Sequence, residues 1–213
     1  ATQGQFEALM GYSPLDDQTY LYGEGTDYPA YYASWYMAAD FANSLSALEG
    51  LSECYTCTSG GTSVSCSESG SHASIYDCPG YRLPTEAEWE LAARSGTTSE
   101  FWTGEGDDLG GSYSSSSCDG DETIDDGAGS PYPLVGDYAW YCGNNDPYGS
   151  KEVAQLLPNG YGLYDMHGNL WEWSNDWYDS GTYPSSTEDP VGASSASSRV
   201  VRGGNWNYAP DIL

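Results

Sequence analysis

The sequence predicts an α+β domain of low regular content, stapled by disulfides. Capped helix signals fill the first half of the chain, and short strand-like runs follow them late. Among 213 residues there are 27 Gly and 11 Pro, so much of the backbone must be turn and loop. Six cysteines, an even number, sit in the loop-rich stretches at Cys54, Cys57, Cys66, Cys78, Cys118 and Cys142.

Three helices can be read from their ends. Thr2 followed by Gln5 is a capping box, and Gly11 marks a stop, which predicts a helix over 3–10. Ser34 caps a second helix over 35–48, whose Trp35, Ala38, Phe41, Ala42, Leu45 and Leu48 recur at helical spacing. Thr85-Glu86-Ala87-Glu88 is a second capping box, with Pro84 placed to staple against Trp89. Arg94 suits the negative helix end, and Gly96 ends the helix.

Strands are expected at 138–141, 170–173 and 199–202. Residues 51–80, 103–136 and 180–198 read as loops. Loops this long are uncommon unless functional or cross-linked. The cysteines suggest the links: Cys57–Cys66 closing a small loop, Cys54–Cys78 around it, and Cys118–Cys142 across the next long loop. Zinc is the rival, because Cys54 and Cys57 have C-x-x-C spacing, but Cys66 and Cys78 supply no second pair of that kind. Disulfides point to an oxidising compartment, hence an extracellular or cell-surface location.

Charge excludes further classes. Five Lys and Arg stand against 32 Asp and Glu, for a net charge of −27. Five cations cannot form the basic stripe that nucleic acid requires, and anionic membranes would repel the chain. No apolar run is long enough to insert into a bilayer. The 20 Tyr and 8 Trp separate it from disordered acidic chains, which lack aromatic residues. The Ser/Thr-rich stretches 58–72, 112–117 and 194–198 could carry O-linked glycans.

Three ordered segments carry a family resemblance. They are Tyr81-Arg82-Leu83-Pro84-Thr85-Glu86-Ala87-Glu88-Trp89-Glu90, then Asn159-Gly160-Tyr161-Gly162-Leu163-Tyr164-Asp165-Met166-His167-Gly168-Asn169-Leu170-Trp171-Glu172-Trp173, then Arg202-Gly203-Gly204-Asn205-Trp206. Together they resemble the formylglycine-generating enzyme, or sulfatase-modifying factor, family over nearly the whole chain. The resemblance implies that family's variant of the C-type-lectin-like fold, as one domain over 1–213. It also implies structural calcium, with side-chain oxygens from Asp165 and Glu172 and carbonyls from Gly168 and Leu170. The bland alternative is that Asp165 caps a turn and Glu172 pairs with Arg202 or Arg82.

Family members that oxidise a substrate cysteine hold copper on two cysteines after the Arg-Gly-Gly motif. In this chain Tyr208 and Leu213 stand at those positions. Copper(I) selects thiolates, so neither residue can substitute and no copper is expected. Related iron enzymes need three histidines, and only His72 and His167 are present. No catalytic residue is therefore assigned. His167 reads as structural, Trp171, Trp173 and Trp177 as core before sugar-stacking surface, and Glu86, Glu88 and Glu90 as acids favoured by a helix start. Arg82, Arg199 and Arg202 read as buried ion-pair partners.

The family's first and last strands look absent, which suggests either a truncated chain or sheet edges open to self-association. The leading expectation is a non-catalytic extracellular structural module, surface or filament-forming. The alternatives are a copper-dependent oxidoreductase whose cysteines lie past Leu213, and a lectin-like module binding a glycan or peptide.

Overall fold

The computed structural model describes residues 1–58, 60–98, 118, 135–180 and 188–209. They fall into two compact units: Ala1–Ala87 with Trp173–Val200, and Glu88–Glu172 with Val201–Leu213. The expected loop 103–136 lies almost wholly outside the described residues. Regular structure is sparse, with short helices and two-stranded sheets in the mixed α/β manner the composition implied.

The first unit is built on two helices whose caps form as expected. In α1 (Gln3–Met10) Thr2 and Gln5 bond reciprocally, and Gly11 closes the helix in the left-handed region at φ 74°. In α2 (Trp35–Leu48) the Ser34 side chain accepts the Met37 amide. The buried faces of both helices join one core made of Phe6, Trp35, Met37, Ala39, Ala42, Tyr55, Val64 and Ile75. Phe6 and Phe41 stack with ring centroids 5.5 Å apart.

Part of the expected loop 51–80 is instead a hairpin. Strand β1 (Tyr55–Thr58) runs antiparallel to β2 (Ser65–Glu68), with Cys57 directly opposite Cys66. Sequences such as Tyr-Thr-Cys-Thr and Ser-Cys-Ser-Glu show almost no apolar alternation. The missing hydrophobic drive is supplied by a Cys57–Cys66 disulfide across the pair and a Cys54–Cys78 disulfide beside it. Asn43 of α2 fixes the hairpin: its amide oxygen accepts the Tyr55 N–H at 3.1 Å and its amide nitrogen donates to the Tyr55 carbonyl at 2.8 Å. Both cysteines of the zinc-like pair are thus oxidised, and neither offers zinc a thiolate.

Arg199 sits between two rings, 3.9 Å from the Trp35 centroid and 3.7 Å from that of Trp177. It also donates to the Asn175 carbonyl. Its nearest carboxylate, Glu68, is 3.9 Å away and largely solvated, so stacking rather than ion pairing holds this arginine. Helix α3 (Glu86–Arg94) begins where the Asp176 carboxylate accepts the Glu86 amide at 2.7 Å, a cap supplied from far along the sequence. The strand expected at 170–173 shifts and lengthens into β5 (Glu172–Trp177), which pairs with β6 (Arg199–Arg202), the strand expected at 199–202.

In the second unit, Asn159 is the hub. Its side-chain nitrogen donates to the Ala92 and Ala93 carbonyls at 2.7 and 3.3 Å, closing the C-terminal end of α3. Its side-chain oxygen accepts from the Tyr161 and Leu163 amides, each at 3.0 Å. The expected strand 138–141 divides: α4 (Val135–Tyr138) passes into β3 (Ala139–Trp140), which pairs in parallel with β4 (His167–Gly168).

Candidate functional site

The chemistry-bearing motifs of the second unit converge on the curl at 165–169, around β4. Asp165, Gly168 and Asn169 all take left-handed backbone angles, with φ of 56°, 78° and 59°, so the chain curls tightly on itself. At Gly168 the curl brings the backbone against β3, and a Cβ there would run into the Trp140 carbonyl. The Gly168 amide donates to Gly203 of the Arg-Gly-Gly motif at 2.6 Å. Buried Asn169 then ties three segments together. Its side chain exchanges hydrogen bonds with the Lys151 backbone, and its own carbonyl accepts the Trp206 amide at 3.0 Å.

Asp165 and Glu172 flank this curl. Asp165 accepts the Ala154 amide at 2.9 Å and a bond from the Asn169 side chain, yet burial still pushes its carboxyl above the usual range. Glu172 retains some exposed surface as a residue, but its carboxylate is desolvated. It accepts the Trp89 indole N–H at 2.6 Å instead of meeting an arginine. Arg202 lies over the ring of that same tryptophan, 5.3 Å from its centroid. Desolvation raises the Glu172 pKa, the Trp89 bond lowers it, and the negative charge of Asp165 raises it further.

Two carboxylates that repel one another, one of them desolvated and accepting a neutral indole N–H, make ionisation costly here, a cost that a proton or a cation would relieve. Among the described residues no group of three or more His, Cys, Asp or Glu side chains could hold a metal ion. A cation here would depend on two side chains and otherwise on carbonyl oxygens. That donor set is the hard, all-oxygen kind suited to calcium.

The position that a copper-binding cysteine takes in the resembled enzymes holds a tyrosine built into the fold. The Tyr208 amide donates to Asn205 at 3.1 Å, and its carbonyl accepts the Cys142 amide at 3.1 Å. Its half-exposed ring meets Trp171 edge-on, with centroids 5.8 Å apart. Beside it in sequence, Trp206 takes the edge of the exposed Tyr148 ring at 4.6 Å, and the Tyr148 hydroxyl donates to Asn207 at 3.2 Å. Cys142 is bonded to Cys118, so all six cysteines of these 213 residues are in disulfides.

The remaining candidates separate into structural roles. His167 is buried, its ring 6.2 Å from that of Tyr138. Trp173 donates its indole N–H to Ala33, and Trp177 stacks on Arg199, which leaves Trp171 as the tryptophan of the three that faces the tyrosine turn. Glu90 pairs with Arg94 along α3 at 2.7 Å. Arg82 donates to the Leu83 carbonyl and lies over the Tyr76 ring. Sequence reasoning did not find Lys151, whose signal was its isolation as the one lysine of an acidic chain. Its ammonium is enclosed by loop carbonyls, and burial pulls its pKa down against the attraction of Asp146.

A match to the family described as "Sulfatase-modifying factor enzyme 1-like domain" covers residues 2–213. The "Chaperone protein LppX" of Paenibacillus barcinonensis is 30% identical over 210 residues, 96% of this chain and 66% of that protein. The formylglycine-generating enzyme of Streptomyces coelicolor is 37% identical over 134 residues, 60% of this chain and 36% of that enzyme. The chain thus spans just under two thirds of the first and about a third of the second. Among solved structures, Treponema denticola variable protein 1 superposes with a TM-score of 0.67 at 30% identity, covering 100% of this chain and 73% of that one. PvdO from Pseudomonas aeruginosa shares the fold, with a TM-score of 0.57 at 21% identity over 98% of this chain and 67% of its own.

Proposed function

This chain belongs to the sulfatase-modifying factor family, and within it we propose a non-catalytic module that acts through its surface outside the reducing cytoplasm. The observation that carries this is Tyr208: a phenol, packed on Trp171, stands where copper chemistry needs a thiolate, and every cysteine of the sequence is already spent in a disulfide. Three disulfides also support an oxidising location. Among the described residues no helix is long and apolar enough to cross a membrane.

The working surface is the tyrosine turn. Tyr148 and Tyr208 are 64% and 43% exposed, with Asn207 between their segments. Tyrosine and asparagine together give large, rigid contact area with adaptable hydrogen bonding, the composition of binding faces that recognise a peptide or glycan. In this reading the carboxylates of Asp165 and Glu172, with the carbonyls of Gly168 and Leu170, would hold a structural calcium ion. A second reading, self-association, is favoured by the exposed run of Leu157, Tyr161, Leu163 and Tyr164.

The experiment is a copper-dependent oxidation assay on a cysteine-containing peptide, run beside sedimentation of the purified protein. No turnover, with a monomer, supports a binding module. Concentration-dependent growth that is lost in Tyr161→Ser and Tyr164→Ser moves the function to assembly. Turnover overturns the non-catalytic proposal.

A further inference from the structure

Lys151 is the single lysine of the chain, and its environment is unusual for one. The residue is 8% exposed. Its Nζ donates to Asn145 Oδ1 at 2.7 Å, to the Pro147 carbonyl at 2.6 Å and to the Gly149 carbonyl at 2.7 Å. An ammonium has three hydrogens and each is matched to one oxygen. The Trp140 ring lies 5.6 Å away on a further side. Asn145 Oδ1 also accepts the Gly149 amide at 3.0 Å, so the loop is folded around the charge.

We infer that Asn145–Gly149 is a cation-binding loop whose ion is the Lys151 ammonium, and that removing this ammonium opens a site for a free monovalent cation of the potassium or ammonium class. The three oxygens are neutral amide oxygens, which replace the hydration shell of a weakly hydrated monovalent ion. Calcium, doubly charged and strongly hydrated, calls for direct carboxylates, and the three oxygens of the cage are all neutral. The acid beside the cage, Asp146, is exposed in the loop; it attracts cations without closing the ring of oxygens.

The ammonium has a structural consequence. Tyr148 belongs to the same loop and reaches Trp206 and Asn207, while Asn169 clamps the Lys151 backbone and the Trp206 amide together. Lys151 is therefore a positioning residue for the Tyr148 side of the aromatic turn. It supplies inside the chain the charge that would otherwise have to be recruited from solution.

Three measurements test this. In the native protein the lone lysine should resist acetylation by an N-hydroxysuccinimide ester at least tenfold more than after unfolding, and its ammonium protons should exchange slowly enough for a nitrogen-correlated NMR signal. Lys151→Ala should melt lower than wild type by about 5 °C or more. It should regain at least half of that in potassium or ammonium chloride relative to tetramethylammonium chloride at the same ionic strength. Lys151→Met, whose side chain fills the cage, should lose stability without ion-selective recovery. Equal recovery in tetramethylammonium, equal recovery in Lys151→Met, or undiminished stability of Lys151→Ala would overturn the inference. Should neither variant fold, rapid native acetylation of wild type or absence of the ammonium signal would do the same.

Discussion

Replacing Glu172 by Gln tests the calcium assignment, because the sign of its effect depends on the ion. Glutamine keeps an oxygen to accept the Trp89 indole N–H, now 2.6 Å from Glu172, so the hydrogen bond survives in neutral form. What disappears is a desolvated negative charge that Asp165 repels. Burying an ion costs several kcal/mol before compensation, and a charge-assisted hydrogen bond returns about 1.5–3 kcal/mol. Without calcium the carboxylate should therefore be a net liability of about 1–2 kcal/mol, and Glu172→Gln should be the more stable protein. With calcium at a hundred times its dissociation constant, wild type gains about 2.7 kcal/mol, while the variant gains little. For a chain of this size that gain is roughly 5–10 °C of Tm. Differential scanning calorimetry of both proteins, in chelator and in millimolar calcium, should show the order of stabilities invert. A wild type indifferent to calcium, or a variant less stable in chelator, would refute the assignment.

Three further outcomes follow from the first unit. Tyr55 donates to Asn175 at 2.9 Å and accepts from the Leu83 amide, and burial pushes its pKa from 10.0 to about 12. An acid whose folded pKa is raised adds stability that is full below pH 10 and lost between pH 10 and 12, here about 3 kcal/mol at ~1.4 per unit. The difference in stability between wild type and Tyr55→Phe should shrink across that window in urea titrations, and a constant difference would contradict it. Arg199→Lys keeps the charge but loses the planar stack between Trp35 and Trp177, and should cost about 2–3 kcal/mol in urea unfolding; a neutral result would mean the stacking contributes nothing. Asn43→Ala leaves the Tyr55 N–H and carbonyl buried without their partner, and should cost about 2–4 kcal/mol with faster amide exchange at Tyr55; unchanged protection there would remove Asn43 as the hairpin's anchor.

The legible parts of the fold are those with local causes. Helices α1 and α2 could be bounded from Thr2, Gln5, Gly11 and Ser34, because caps act over a few residues. The hairpin 55–68 could not, since its drive is a cross-strand disulfide and an asparagine on another element. The α3 start was placed correctly, but Asp176, which caps it, is 90 residues from Glu86. At the site, Asp165, Gly168 and Glu172 were visible only through the family resemblance. The Trp89 bond to Glu172 spans 83 residues and replaced the arginine pairing that charge counting suggested. Lys151 escaped notice because its partners are mostly backbone carbonyls, which carry no signature in side-chain sequence.

The central claim is that no thiol remains on this chain to grip a soft metal ion. It is tested most directly by titrating the denatured, unreduced protein with a thiol reagent and by measuring copper(I) retention on the native form. The expected result is no reactive thiol from the six cysteines and no copper retained after gel filtration. Two titratable thiols accompanied by one bound copper(I) would contradict it.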